Sequence, residues 1–217
     1  MTGVNVVCVT GTPGVGKTTI SLNVKEKLLG TNMFEFLNVG DLIKEKELFS
    51  EWDDEMNCSI FDEDLVNKEI KQIVACLQRD GKKGLLIDFH SVGFLQRRLV
   101  DHVVVIRADT NVLWARLEER KYPTEKIQEN VQAEIFMESK SEAEDQFGED
   151  RVIEKLNNSV SERDEIVDLI VELLMKKQKE PNDEDDESLS DEESLSYDED
   201  SVSDGDYTEF SSDNSQD

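Results

Sequence analysis

The sequence predicts an α/β fold in which helices cover both faces of a parallel sheet. Three observations support this. An apolar run at 5–10 passes without a gap into a glycine-rich loop and then into a helical pattern with Ile20 and Val24 on one face. Two later segments, 85–87 and 103–106, are continuous apolar runs, typical of parallel strands buried on both faces. Helical patterns separate these strands, as parallel connections require.

Residues at the ends of the elements set their predicted bounds. Gly30 ends the helix after the loop, because glycine adopts the left-handed conformation of a helix terminus. Asp109 and Thr110 can cap the helix after the fourth strand, Pro123 interrupts that helix, and Ser161 is predicted to cap the last one. The predicted strands lie at 5–10, 34–39, 85–88, 103–106 and 152–153. The predicted helices are one that follows the glycine-rich loop and ends at 29, one at 42–47, one that starts at 62–64, one that starts at 110, one that follows Pro123 and ends at about 147, and one at 162–179. A mobile polar loop is predicted at 50–55.

The net charge divides the chain near Pro181. Residues 181–217 carry sixteen acidic residues, nine serines and no Lys or Arg, and so supply −16 of the formal net charge of −27. The remaining −11 on residues 1–180 argues against a broad basic surface for nucleic acid. Residues 1–180 suffice for one domain with its own core. The tail, 181–217, has too little apolar surface to offset the loss of chain entropy, and we predict that it is disordered.

Cysteine use and hydropathy limit the classes of protein further. The three cysteines, Cys8, Cys58 and Cys76, are scattered, and no C-x-x-C pair is present to bind zinc. Cys8 and Cys76 are predicted to pack in the core, and reduced thiols fit the cytosol or the nucleus. The first strand begins by about residue 4, which leaves no room for a signal peptide. No apolar run approaches the roughly 20 residues that span a membrane, so no membrane association is expected.

The glycine-rich loop carries the strongest chemical signal. Residues 11–18 read Gly-Thr-Pro-Gly-Val-Gly-Lys-Thr, which is G-x-x-x-x-G-K-[ST] between a strand and a helix, the setting of a P-loop. Its backbone amides and the helix N-terminus can cradle phosphate oxygens. Lys17 can then reach the β- and γ-phosphates, and the hydroxyl of Thr18 can bind Mg²⁺. The motif therefore predicts that the chain binds a nucleoside triphosphate.

An acid and a histidine follow the strand at 85–88. Asp88 occupies the place of a Walker-B acid, which holds Mg²⁺ directly or through water; the alternative is an acid that caps the next turn. His90 lies two residues on, so its side chain falls on the same side of an extended backbone. It can orient an attacking water or contact the acceptor phosphate, and the alternative is a structural histidine. His102, just before a buried strand, is predicted to be structural.

Two arginines four residues apart lie on one helix face next to Pro123. Arg116 and Arg120 can clamp nucleotide phosphates or stack on an adenine ring. The alternative is that they form surface ion pairs with Glu118 and Glu119.

Five segments together resemble the adenylate kinase isoenzyme 6 family. In chain order they are Gly11–Thr19, Asn38–Leu42, Asp62–Asp64, Asp88–His90 and Asp109–Leu113. The match runs from about Val4 to Lys179, and some relatives also end in an acidic, serine-bearing tail. The resemblance implies a P-loop NTPase fold of the nucleoside monophosphate kinase type. It also implies kinase and ATPase activity in nuclear proteins that mature the small ribosomal subunit.

The resemblance further implies roles for individual residues. It makes an ATP cradle of Gly14, Gly16, Lys17, Thr18 and Thr19, with Arg120 as a further ATP contact. Arg116 remains a candidate ATP contact from its position on the same helix face. It makes Asn38–Phe61 the monophosphate-binding segment, with Asn38, Gly40 and Lys44 as its contacts, and Glu119–Glu129 a short lid. Asp88 and His90 become the Walker-B pair implicated in hydrolysis, with Thr18 and Asp88 holding Mg²⁺, and Lys17, Asp88 and His90 as the catalytic set.

The chain departs from the family pattern at three places. Lys44 stands where some relatives have an arginine, and a lysine cannot grip phosphate bidentately. The lid lacks the further arginines of larger adenylate kinases. The segment Ser91–Gly93 differs from the Gly-Cys of some members.

Together these features favour a kinase that uses ATP and Mg²⁺ to phosphorylate a nucleoside monophosphate, with AMP expected. The resemblance implies a monomer in the nucleus and cytoplasm whose partner is a small-subunit ribosomal protein or pre-ribosomal particle. The alternative is an ATPase assembly factor that remodels a ribonucleoprotein, with kinase activity incidental. The tail is predicted either to attract basic partners or only to keep the protein soluble.

Overall fold

The computed structural model describes residues 3–28, 30–53 and 58–176. The acidic tail, the end of the last predicted helix at 177–179 and part of the predicted loop at 50–55 lie outside the described residues. The strands are β1 (Asn5–Thr10), β2 (Phe34–Asn38), β3 (Phe49–Asp53), β4 (Cys58–Phe61), β5 (Gly84–Asp88), β6 (His102–Arg107) and β7 (Val152–Leu156). The helices are α1 (Lys17–Leu28), α2 (Val39–Glu45), α3 (Glu63–Arg79), α4 (Thr110–Glu119), α5 (Thr124–Ile135), α6 (Glu138–Phe147) and α7 (Val160–Met175).

The main sheet has five parallel strands in the order β2-β5-β1-β6-β7, which confirms the predicted fold class. Its register brings the carboxyl ends of three strands together, since Asp88 pairs with Val9 on one side and with Asn38 on the other. In open parallel sheets this edge is where ligands bind. The P-loop leaves β1 at the same edge, so the fold places the loop beside Asp88.

Alternating residues of β1 supply two separate cores. Val6 and Cys8 face the layer of α2, α3 and α6, whereas Val7 and Val9 face the layer of α1, α4, α5 and α7. All four side chains are at most 2% exposed. Burial of an aliphatic side chain of this size contributes about 1.5–3 kcal/mol, so the two cores fix the sheet between its helical layers. Among the described residues, every helix is too short or too polar to cross a bilayer.

The prediction of a mobile loop at 50–55 is wrong for the residues of this segment that the structure describes, because they form a strand. β3 and β4 form a separate antiparallel pair, with Phe49 opposite Phe61 and Asp53 opposite Cys58. The backbone hydrogen bonds of this pair do not need an apolar sequence pattern, and the polar stretch gave no period-2 signal.

The predicted continuous helix from Pro123 to Phe147 is two helices. Met137, between α5 and α6, has a φ of 56°, in the left-handed region. The carbonyl of Glu134 accepts hydrogen bonds from Arg107 Nη2 (2.9 Å) and Met137 N (3.2 Å). Because that carbonyl is engaged elsewhere, the regular i+4 hydrogen bond to it is lost and the helix breaks.

Three local predictions also need correction. α7 is capped by Ser159, not Ser161: Ser159 Oγ accepts from Glu162 N (3.2 Å) while Glu162 accepts from Ser159 N (2.8 Å). The two form a capping box, a spacing that the sequence already contained. Asp109 is the N-cap of α4 but makes no side-chain capping hydrogen bond. Cys8 is buried as predicted, whereas Cys76 is exposed because it falls on the outer face of α3.

Candidate functional site

The P-loop packs tightly against two later parts of the chain. Gly14 and Gly16 have φ values of 101° and 107°, a region that side chains disfavour. A Cβ at Gly14 would lie 2.8 Å from Leu113 Cδ1, and one at Gly16 would lie 2.5 Å from Asn157 Nδ2. Asn157 Nδ2 also donates to the carbonyl of Val15 (2.8 Å). The loop is therefore held by α4 and by the residue after β7, with its backbone close to both.

Lys17 lies across the P-loop. Its Nζ donates to the carbonyls of Gly11 (2.6 Å) and Thr12 (3.2 Å), so its protein partners are loop carbonyls rather than a carboxylate. Burial, assisted by the charge of Arg120, lowers the pKa of Lys17 to about 8, although Asp88 opposes the shift. An ammonium group that donates only to backbone carbonyls of the loop has no carboxylate to lose when it binds an anionic phosphate, which fits the predicted ATP cradle.

Asp88 meets the start of α1 and the end of β2. Hydrogen bonds with the side chains of Thr18 and Asn38 and the charge of Lys17 oppose a rise in the pKa of Asp88, but burial outweighs them and raises it. Asn38 in turn caps α2, because its Oδ1 accepts from Asp41 N (3.0 Å). The Thr18 hydroxyl beside the Asp88 carboxylate is an oxygen donor set that suits Mg²⁺ bound together with phosphates.

His90 follows Asp88 at the edge of the site. Its ring lies 4.3 Å from that of Phe89, centroid to centroid. Burial and the charge of Lys17 lower the pKa of His90 below its usual 6.5, with Glu142 opposing. The imidazole is therefore neutral at pH 7 and can accept a proton.

The loop after His90 is held by a carboxylate of α6. Glu142 accepts hydrogen bonds from Ser91 Oγ (2.6 Å), Val92 N (3.2 Å) and Gly93 N (3.1 Å). Three donors from consecutive residues fix the backbone directly after the histidine.

The two arginines of the predicted clamp are placed differently. Arg116 donates through Nη1 to the carbonyl of Val15 (3.1 Å) and through Nη2 to that of Asn157 (2.8 Å), so it joins the P-loop to the segment after β7. Arg120, one residue past α4, is exposed and lines a cleft beside the loop. Within the described chain, neither arginine forms an ion pair with Glu118 or Glu119.

Two clefts of about 370 Å³ each adjoin the start of α1. The α7-side cleft is lined by Gly14, Gly16, Thr19, Arg116, Glu119, Arg120, Asn157, Asn158, Ser159, Val160 and Arg163. The β2-side cleft is lined by Thr18, Ser21, Leu22, Lys25, Phe36, Leu37, Asn38, Asp41, Leu42, Glu45, Leu86 and Asp88. The charged residues of the α7-side cleft are mostly cationic, and those of the β2-side cleft mostly anionic.

The β2-side cleft includes some residues of the predicted monophosphate site and not others. Asn38 lines this cleft, whereas Gly40 and Lys44 are not among the described residues that line it. Lys44 points from an exposed position on α2. Among the described residues of its lining, the cation is Lys25 of α1, whose Nζ lies 5.9 Å from the centroid of the Phe36 ring.

Sequence reasoning missed four residues of this region: Lys25, Glu134, Glu142 and Asn157. A signal existed for Glu134 alone. The buried positions of α5 are Ile127, Asn130 and Glu134, so an acid occupies the inward face of an amphipathic helix. Glu142 and Asn157 bond to residues 51 and 142 positions away in the chain, which no local pattern records. Lys25 lines its cleft because α1 packs beside β2, a contact that the pattern of α1 alone does not show.

The chain is similar to one family model and to several known proteins. The AAA domain family matches residues 7–137. The chain is 34% identical over 163 residues to the adenylate kinase isoenzyme 6 homolog of Plasmodium falciparum (isolate 3D7), covering 70% of this chain and 86% of that one. The homolog of Caenorhabditis elegans is 36% identical, and the match covers 77% of this chain and 87% of that one. The homolog of Schizosaccharomyces pombe (strain 972 / ATCC 24843) is 37% identical, and the match covers 72% of this chain and 83% of that one.

The chain belongs to the adenylate kinase isoenzyme 6 family. The resemblance expected from the sequence motifs is thereby confirmed. Membership establishes an adenylate kinase-like nucleotide kinase family with a P-loop, for which ATP, usually with Mg²⁺, is the implied cofactor.

Proposed function

We propose that the protein transfers the γ-phosphoryl group of ATP to a nucleoside monophosphate, with AMP as the expected acceptor. The observation that carries the proposal is the pair of clefts that adjoin the start of α1. Thr18 lines one cleft and Thr19 the other, so donor and acceptor phosphates can approach from opposite sides of the loop that holds Lys17. An enzyme that only hydrolyses ATP has no need of a second cleft.

The charges of the α7-side cleft suit a triphosphate. In the α7-side cleft, Arg120 and Arg163 can attract the triphosphate, and the P-loop amides can cradle it. Bound Mg²⁺ would neutralise developing charge on the phosphates, with Thr18 and Asp88 as the residues that hold it. Lys17, free to leave its loop carbonyls, can stabilise the transferred group, so catalysis rests on positioning and charge.

The test of this proposal is a nucleotide count. With ATP and AMP together, ATP consumption should accelerate and two ADP should form for each ATP used, whereas hydrolysis alone forms one. Parallel reactions with the other nucleoside monophosphates identify the acceptor. If AMP and the other monophosphates leave the rate of ATP consumption unchanged, the kinase proposal is wrong.

Hydrolysis of ATP is the second candidate function, and two observations favour it. His90 lies two residues after Asp88, and because burial lowers its pKa, its neutral form, which has a nitrogen that can accept a proton, is present at pH 7. The β2-side cleft carries Asp41, Glu45 and Asp88, whose charges repel a dianionic acceptor. On this proposal the ATP cycle would remodel a ribonucleoprotein.

Lys25 is expected to be the lysine that matters for the acceptor. Lys25→Ala should raise KM for the monophosphate by about 5- to 10-fold, the loss of one charge-assisted contact, with little change in KM for ATP. Lys44→Ala is the matched comparison, since both lysines are exposed but only Lys25 lines the β2-side cleft. Steady-state kinetics of both variants decide the matter; a larger effect of Lys44→Ala would restore the assignment made from the family resemblance.

We also propose that the acidic tail binds a basic partner, such as a small-subunit ribosomal protein. The proposed location of the protein is the nucleus and cytoplasm, which a fluorescent fusion can test. Its support is charge: sixteen acidic residues and no Lys or Arg in residues 181–217. Deleting them should leave ATP turnover unchanged and weaken partner binding most at low salt, because salt screens exposed charges beyond about 8 Å at physiological ionic strength. Equal affinity of full-length and truncated protein in titrations at low salt would leave only the solubility role.

A further inference from the structure

A buried carboxylate of α5 reaches the P-loop. Glu134 is 2% exposed. Its Oε2 accepts a hydrogen bond from Thr12 Oγ1 (2.5 Å), and its Oε1 accepts from Arg107 Nε (2.9 Å) and from Ala108 N (3.2 Å). Three donors from the P-loop, the end of β6 and the residue after it therefore compensate the burial of this charge.

Thr12 is held at both of its polar groups. Its hydroxyl donates to Glu134, and its carbonyl accepts from Lys17 Nζ (3.2 Å) and from Val15 N (3.3 Å). The residue that Glu134 fixes is thus one of the two whose carbonyls hold the catalytic lysine. A shift of Thr12 would change the position of Lys17 relative to bound phosphates.

The same carboxylate ties the P-loop to the lid. Glu134 lies in the last turn of α5, and α5 begins at Thr124, inside the segment 119–129 that the family resemblance makes a lid. A helix of twelve residues is about 18 Å long, so α5 connects the P-loop contact at Glu134 with the start of the helix at Thr124. Arg107 strengthens the joint, because it also donates to the carbonyl of Glu134 (2.9 Å).

We propose that Glu134 is a positioning residue for ATP: by holding Thr12 it sets the shape of the P-loop around Lys17. The inference rests on the proposed use of the P-loop for ATP but not on the identity of the acceptor. It does not require Glu134 to contact any substrate.

The hydrogen bond between Thr12 and Glu134 gives this role a signature that packing alone would not have. Because the positioning role acts through that one bond, removing either partner should weaken ATP binding, and removing both should add nothing further.

The experiment measures the Kd for ATP by calorimetry. Glu134→Gln and Thr12→Val should each weaken ATP binding about tenfold, the effect of one hydrogen bond to a charged group. The double variant should bind no more weakly than the worse single variant, because both changes break one interaction. Glu138→Gln, the same charge change at an exposed position of α6, is the control and should keep the wild-type Kd.

Two outcomes would overturn the inference. A Glu134→Gln variant with a lower melting temperature but the wild-type Kd would make Glu134 structural only. Additive effects of the two changes on Kd would show that Glu134 and Thr12 do not act together. If Glu134→Gln does not fold, an unchanged Kd in Thr12→Val rejects the proposal alone. Because ATP binding is measured without an acceptor, this experiment tests the role of Glu134 even if the protein does not phosphorylate a nucleoside monophosphate.

Discussion

Lys17→Ala is expected to reduce ATP turnover by about 10²–10³-fold, the loss typical of removing one group that stabilises the transition state. Lys17 is the cation of the P-loop itself, and its Nζ already lies against the loop carbonyls of Gly11 and Thr12. Its ammonium form is the one that binds phosphate, and its pKa is about 8 in the free protein. Wild-type kcat/KM for ATP should therefore fall as the pH rises through about 8, and the variant should lack that limb.

The fold should survive this change. The partners of Lys17 are carbonyls of its own loop, so removing it leaves no buried carboxylate without a partner. Lys27→Ala is the matched control, since Lys27 lies at the other end of α1 in an exposed ion pair with Asp168 and should keep full turnover. Turnover and a thermal melt are measured together. A Lys17→Ala protein that is folded and retains activity would reject the P-loop assignment.

His90→Ala is expected to lower ATP hydrolysis by about 10²–10⁴-fold, the contribution of a positioned acid–base group, and to lower phosphoryl transfer to AMP much less. In hydrolysis the nucleophile is water, which must lose a proton, whereas the phosphate of AMP is already an anionic nucleophile. Because the pKa of His90 lies below 6.5, its neutral form is present at pH 7 and is lost as the pH falls through that pKa. The acid limb of wild-type hydrolysis should lie below pH 6.5.

His102→Ala is the control for this experiment, because His102 begins β6 rather than following Asp88. It should leave the ratio of hydrolysis to transfer unchanged, whatever it does to stability. Both rates are measured for each protein across pH 5 to 8. If His90→Ala lowers both rates equally, His90 is a phosphate-binding or structural residue and does not activate water.

Much of the site could be predicted because it is local. The strand, loop and helix of residues 5–28 are contiguous, and the glycines, Lys17 and Thr18 stand at fixed spacings within them. Asp88 could be predicted for a related reason: it ends an apolar run, and the ends of parallel strands share one edge of the sheet. The break in the helix predicted over 123–147 could not be predicted from the sequence, because at this point Arg107, far away in the chain, donates a hydrogen bond to the carbonyl of Glu134.

By itself, the sequence determined the fold class, the P-loop and the family, since each depends on residue types at short, fixed spacings. Only the tertiary structure decided which distant side chains support that loop. Glu134 bonds to Thr12 across 122 positions, and Asn157 bonds to Val15 across 142. The tertiary structure also decided that Lys25, rather than Lys44, lines the β2-side cleft. A buried polar side chain takes its partners from the packing of whole helices against the sheet, and no periodicity in its own segment encodes them.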